Sequence, residues 1–156
     1  LELFRAVTPD VAYVPIGLGS GICGMIAARD ALRLKTEIVG VVAAGADCYA
    51  RSFEAGRALS TESAQTIADG LACRVPHAEA FEVIRSGAAR IVRVTDDEIR
   101  AAMRHFFSDT HNVAEGAGAA ALAGAEKESQ SNAGKRVAVI LSGGNVDAEV
   151  FAQILL

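Results

Sequence analysis

Cysteine is scarce in this 156-residue chain, and its three cysteines, Cys23, Cys48 and Cys73, lie far apart. An odd, widely spaced set gives neither a disulfide framework nor the close pairs of a zinc site. They read as reduced, buried and inert thiols. The three histidines, His77, His105 and His111, form no metal-ligand cluster in sequence. His105 reads as a partly exposed helix residue and His111 as a loop residue. Aromatic residues make up only 5% of the chain, which argues against an all-β sandwich. There is no basic cluster and the net charge is −4, so the electrostatic footprint of a nucleic-acid binder is missing. No apolar run approaches the length that spans a bilayer, so no membrane partner is expected. The N-terminus lacks the basic and apolar regions of a signal peptide, and a cytoplasmic setting is expected.

What the chain has instead is alanine, glycine and short apolar runs. It is 51% hydrophobic with 15 glycines, a composition suited to close helix-on-sheet packing in one domain. Residues 12–16, 37–42, 90–94 and 136–141 read as fully buried parallel strands. Helical patterns cover residues 21–34, 47–56, 79–86 and 118–128, and Val146, Val150 and Ile154 mark a terminal helix. Thr95-Asp96-Asp97-Glu98 is a capping box for a further helix bearing Ile99, Met103 and Phe106, with Asp96 and Asp97 reading as solvated acids at its start. Residues 127–135 are polar and read as a surface loop. The opening residues, Leu1 to Val7, read like the last turns of a helix. Strands alternating with helices predict a doubly wound α/β layer, whose ligands gather at the carboxyl ends of the strands.

Three segments carry chemistry. The first is Pro15-Ile16-Gly17-Leu18-Gly19-Ser20-Gly21-Ile22-Cys23-Gly24, a glycine loop between a strand and a helix. Glycine lets the backbone approach a ligand, and the helix start adds unpaired N–H groups and partial positive charge, so the loop reads as an anion site. It also matches the dinucleotide fingerprint, but the acid expected after the next strand is late, at Asp47. A nucleotide, another phosphate ligand and a bare tight turn all stay open at this level. The second segment is Leu141-Ser142-Gly143-Gly144-Asn145-Val146-Asp147. The Ser142 hydroxyl can point into a pocket and donate to a neutral ring nitrogen, or Ser142 and Asn145 can serve the turn and cap the last helix. The third is Asn112 to Ala123, whose small residues allow near backbone-to-backbone packing. Glu115 in it either reaches a ligand or stabilises the helix start.

Together these segments resemble the fold-type II pyridoxal phosphate enzymes. Residues 15–21 look like that family's phosphate loop, Glu115-Gly116-Ala117-Gly118 like its Glu-Gly/Pro-Ala-Gly segment, and Ser142-Gly143-Gly144-Asn145 like its Ser-Gly-Gly-Asn signature. Residues 66–72 and 94–99 resemble further family segments in the right order. The match covers nearly the whole chain and is closest to the threonine dehydratase and serine racemase-like group. It implies a three-layer α/β fold, with a mostly parallel sheet and helices on both faces, as part of the large domain of the tryptophan synthase β-like fold. It implies pyridoxal 5'-phosphate as cofactor, with its phosphate on Gly17, Leu18, Gly19, Ser20 and Gly21. Ser142 would meet the pyridine nitrogen and Glu115 would lie near the ring. The implied reaction is α,β-elimination of a small hydroxy amino acid to a 2-oxo acid and ammonia. Serine racemase and hydroxyaspartate ammonia-lyase remain alternatives within the family, and a non-catalytic phosphate-ligand or nucleotide-binding module remains one outside it.

Two departures bound the expectation. The family's lysine, which holds the cofactor's aldehyde, lies in an N-terminal Ser-Phe-Lys-like motif, and none of Lys35, Lys127 and Lys135 has that setting. The chain is therefore expected to be a C-terminal part of the cofactor-binding domain, without the lysine-bearing part or a regulatory domain, and inactive alone. Relatives also place a cation-binding glutamate after the second strand. Here that region reads Ala43-Ala44-Gly45-Ala46-Asp47, and little or no cation binding is expected. A homo-oligomer, or association through exposed apolar surface, is expected as well.

Overall fold

A computed structural model describes residues 1–156. Four parallel strands form its sheet: β1 (Val11–Pro15), β2 (Glu37–Ala43), β3 (Arg90–Val94) and β4 (Val137–Val139), in the spatial order β3-β2-β1-β4. β1 is flanked on both sides and all but its last residue is buried. Side chains alternate across the sheet, as the strand's period of two requires. Val11, Tyr13, Val39 and Val41 feed one core, while Ala12, Val14, Ile38 and Val42 feed the other.

The helices complete two outer layers. On the Ala12 and Val14 face lie α1 (Glu2–Ala6), α2 (Ser20–Ala31), α3 (Cys48–Ala55) and α4 (Ala78–Gly87), contributing Phe4, Ile22, Ile26, Tyr49, Phe81 and Ile84. On the Tyr13 face lie α5 (Asp96–Thr110), α6 (Gly116–Lys127) and α7 (Ala148–Leu155). α6 packs its buried alanines and Gly124 directly on β1 and β2, as the run of small residues predicts. The capping box is present: Thr95 Oγ1 accepts from the Glu98 N–H at 3.2 Å, and the Thr95 N–H donates to Glu98 Oε2 at 2.6 Å.

Three expectations need correction. β3 and β4 are only partly buried, and β4 is three residues long rather than six. The strand order leaves both at the edges of the sheet, where one side lacks a neighbour. Asp96 is not a solvated acid. Its carboxylate crosses to Thr66 Oγ1 at 2.6 Å and to the Ile67 N–H at 3.2 Å, fixing the segment before the 3-10 turn Asp69–Leu71. Of the cysteines only Cys48 is fully buried; burial pushes its thiol up to about 12, while Cys23 and Cys73 are half-buried.

At the strands' amino ends a polar cluster ties the sheet to α6. The buried Tyr13 hydroxyl donates to Glu128 Oε2 at 2.6 Å and accepts from Asn132 Nδ2 at 3.0 Å. Arg90 Nη2 meets the same carboxylate oxygen at 2.6 Å. No helix is long and apolar enough to cross a membrane.

Candidate functional site

The chain runs β1 to β2 to β3 in one direction, then returns to place β4 on the far side of β1. That reversal opens a crevice at the carboxyl ends of β1 and β4, the position where open α/β sheets bind ligands. The glycine loop leaves β1 there, the Ser142 loop leaves β4 there, and α6 starts between them. The resulting cleft, about 580 Å³, is lined by Gly17, Leu18, Gly19, Ser20, Gly21, Glu115 and Ser142. All seven residues singled out in the sequence are thus brought to one cavity, of a size usual for small ligands.

The loop end of the cleft is built of donors. None of the N–H groups of Gly17, Leu18, Gly19, Ser20 and Gly21 finds an acceptor within the chain, and the first closing bond of α2 runs from Cys23 N to Gly19 O at 3.0 Å. Gly19 is buried, Gly17 is half-buried, and Leu18, Ser20 and Gly21 are exposed at the start of α2, so the loop leaves five unpaired donors at the cavity, the arrangement in which helix N-termini take anions. Sequence choice makes the shape possible. Gly19 has φ 101°, which disfavours any L side chain, and a Cβ there would sit 2.8 Å from the Ala80 Cβ. The Gly17 backbone lies against the Gly70 carbonyl so closely that a Cβ would overlap it. The Ser20 hydroxyl has no partner within the chain and adds a sixth donor beside the amides.

The other end is different in character. The Glu115 N–H donates to the Gly143 carbonyl at 3.1 Å, and the Glu115 carboxylate lies beside Gly143, where a Cβ would overlap Oε1. Glu115 is the N-cap residue of α6 but makes no side-chain cap bond. Asp147, not Ser142 or Asn145, is the N-cap residue of α7, so the turn-and-cap role leaves Ser142 unexplained. Ser142 is exposed and lines the same cleft as the glycine loop, and its hydroxyl has no partner within the chain. Pro15, Leu71, Ala117 and Ile140 provide apolar wall between the two ends. Free N–H donors, apolar wall and a neutral hydroxyl suit a phosphorylated ring, and the residues present therefore fit pyridoxal 5'-phosphate.

Sequence patterns assign no site role to several contributors. Gly70 and Leu71, within the 66–72 segment, and Met25 join the lining through the fold. Tyr49, 1% exposed at the start of α3, supports the loop from beneath: its hydroxyl donates to the Leu18 carbonyl at 2.8 Å and accepts from the His77 N–H at 3.0 Å. An aromatic two positions after an acid carries no signal in sequence, and only the tertiary contact marks it.

The remaining candidates fall elsewhere. Both Asp47 carboxylate oxygens are taken by guanidinium groups, Arg51 Nε at 2.7 Å and Arg93 Nε at 2.9 Å, so it presents no free oxygen pair to a cation. No group of three metal-ligating side chains occurs in the structure. His105 pairs with Glu126 on the surface and His111 is the C-cap residue of α5. Lys127 pairs with Glu98 at 3.0 Å at the far end of α6, while Lys35 and Lys135 precede β2 and β4 at the strands' amino ends, away from the cleft at their carboxyl ends.

Comparison with known proteins accords with this geometry. The family model for pyridoxal-phosphate dependent enzymes matches residues 1–143. The phenylserine dehydratase of Ralstonia pickettii is 42% identical over 98% of the chain and 47% of its own length. The L-threonine ammonia-lyase of Thermotoga maritima is 32% identical over 94% of the chain and 36% of its own length. The chain thus spans about half the length, or less, of these curated relatives. Among solved structures, maize serine racemase superposes with a TM-score of 0.89 at 32% identity, over 97% of this chain and 48% of that one. The processed threonine deaminase isoform 2 of Solanum lycopersicum gives 0.91 at 25% identity, over 96% and 45%. With the glycine loop, the Ser142 loop and α6 in one crevice and a family match over residues 1–143, the chain belongs to the pyridoxal-phosphate dependent enzymes.

Proposed function

We propose that the cleft holds pyridoxal 5'-phosphate and that this chain is the larger share of the cofactor site of an ammonia-lyase acting on a small β-hydroxy amino acid. The observation that carries the reading is the pairing of five free backbone N–H groups at one end of the cleft with the Ser142 hydroxyl at the other. The N–H groups of residues 17–21 and the Ser20 hydroxyl bind the phosphate. Ser142 Oγ–H donates to the pyridine nitrogen without protonating it, since a hydroxyl keeps its proton where a carboxylate partner would hold the ring cationic. Glu115, which lines the same cleft, would lie near the ring. When bound, the cofactor would supply an electron sink for the substrate's α-carbon, kept shallow by a neutral ring, the character suited to loss of a β-hydroxyl. The products are a 2-oxo acid and ammonia.

The lysine that holds the cofactor's aldehyde is supplied from outside these residues, because the chain's own lysines lie away from the cleft. In this reading the chain is a C-terminal part of the cofactor-binding domain. Alone it binds the cofactor without covalent attachment and does not turn over substrate. The exposed apolar side chains of Val113 and Leu141, in the segments that lead to Glu115 and Ser142, provide the surface for association with the lysine-bearing part or with a second copy.

Titration with pyridoxal 5'-phosphate, inorganic phosphate and NAD tests the reading. Binding of the first, competed by the second and not by the third, is expected. NAD binding with no pyridoxal 5'-phosphate binding refutes it, as does a borohydride-reducible adduct on Lys35, Lys127 or Lys135 with ammonia release from threonine. In the protein that carries the lysine, ammonia and 2-oxo acid release from threonine, serine, phenylserine or hydroxyaspartate identifies the substrate; racemisation without ammonia release overturns the lyase assignment.

A further inference from the structure

We propose that Tyr49 is a positioning residue that aims the glycine loop at the phosphate, acting through the Leu18 peptide; the proposal rests on the cofactor reading above. Tyr49 is buried, and both partners of its hydroxyl are backbone groups: the Leu18 carbonyl at 2.8 Å and the His77 N–H at 3.0 Å. No other side chain bonds to the loop between Gly17 and Gly21. In a trans peptide the carbonyl and the N–H of the same unit point in opposite directions. Holding the Leu18 carbonyl down on a buried hydroxyl therefore turns the Gly19 N–H away from the interior, towards the cleft, where it is one of the five free donors.

The backbone agrees with this account. Gly19 adopts φ 101°, the conformation the loop needs after that peptide, and a Cβ on it would lie 3.3 Å from the Tyr49 hydroxyl. Space for a side chain was given up where the hydroxyl comes up under the loop. The hydroxyl also accepts from the residue that precedes α4, so it joins the loop to two helices, one starting at Cys48 and one at Ala78. Burial raises the phenol's pKa, which favours the protonated form that donates. Without the hydroxyl the Leu18 carbonyl has no partner inside, and the peptide is free to flip. A flipped peptide presents an oxygen, not an N–H, to the phosphate, exchanging an attraction for a repulsion.

Tyr49→Phe preserves the ring that fills the core and removes only the latch. Affinity for inorganic phosphate and for pyridoxal 5'-phosphate is expected to fall by about tenfold, while affinity for pyridoxal, which lacks the phosphate, stays within about twofold. Tyr13→Phe is the control, because it deletes an equally buried hydroxyl whose partners Glu128 and Asn132 lie away from the cleft. It is expected to lower stability and leave phosphate affinity unchanged. Equal phosphate affinity in wild type and Tyr49→Phe overturns the inference, as does an equal loss in both variants. A wild type that binds neither phosphate compound overturns the cofactor reading and the inference with it. A second measurement needs no variant of Tyr49. The chain has two tyrosines, so 3-fluorotyrosine labelling gives two 19F resonances. Phosphate is expected to shift the Tyr49 resonance and leave that of Tyr13 in place. Phosphate binding with an unmoved Tyr49 resonance overturns the inference.

Discussion

Gly118→Ala and Gly124→Ala place the same methyl group on the same helix, α6, against different neighbours. In isolation each change favours the helix by up to about 1 kcal/mol. At Gly124 the new Cβ sits 2.8 Å from Val41 Cγ2 and 3.4 Å from Tyr13 Cδ1. Both neighbours belong to the two central strands, which are packed on each face and have no room to move. Overpacking of this kind costs about 1–3 kcal/mol, which outweighs the helical gain. Gly124→Ala is expected to lose about 1–2 kcal/mol, or about 3–6 °C in Tm. At Gly118 the new Cβ overlaps the Gly143 carbonyl and approaches the Gly143 N at 3.0 Å. Gly143 lies in an irregular surface loop, which yields outward. The Glu115 N–H to Gly143 bond is then lost, a cost of about 1 kcal/mol that the helical gain offsets. Stability barely changes, but Ser142 moves with its neighbour. Pyridoxal 5'-phosphate affinity is expected to fall about tenfold while inorganic phosphate affinity is kept, because the amide cradle is untouched. Urea unfolding and ligand titration of both variants measure this. Full pyridoxal 5'-phosphate affinity in Gly118→Ala, or wild-type stability in Gly124→Ala, refutes the reasoning from neighbour mobility.

Other outcomes follow from the same structure. The hydrogen bond from Arg90 holds the Glu128 carboxyl below its usual range, so the folded state binds fewer protons there than the unfolded one. Its contribution is complete above a pH of about 4.3 and disappears as pH falls through the lowered folded value. Glu128→Gln should cost about 1 kcal/mol at neutral pH and flatten the acid limb of a stability-against-pH curve; an unchanged acid limb would count against the pairing. Thr95→Ala removes the capping box of α5 and should cost about 1 kcal/mol in urea denaturation, with ligand affinity unaltered. Asp47→Ala leaves Arg51 and Arg93 without their shared carboxylate. Because Arg93 keeps Glu54 and both guanidinium groups reach water, the loss should be about 1–2 kcal/mol, and added divalent cations should not change the Tm of the wild type.

Local chemistry made part of this molecule legible in its residues. The apolar runs, the capping box at Thr95 and the glycine loop before α2 are decided by neighbours in sequence, since burial patterns, caps and backbone freedom are short-range properties. The three motif segments likewise carried the family and the seven candidate positions. Strand order was not written locally. It decided that β1 and β2 are central, that β3 and β4 are half-covered edges, and that the reversal beside β1 sets Gly17 to Gly21 in one cleft with Ser142. Asp96 looked like a solvated acid because its partners Thr66 and Ile67 are about thirty residues away, and Tyr49 carried no signal because its partners are single backbone atoms on other segments. The sequence by itself determined which atoms are available to hold a phosphate; only the tertiary structure decided which way they point, because a peptide's orientation is fixed by whatever holds its carbonyl.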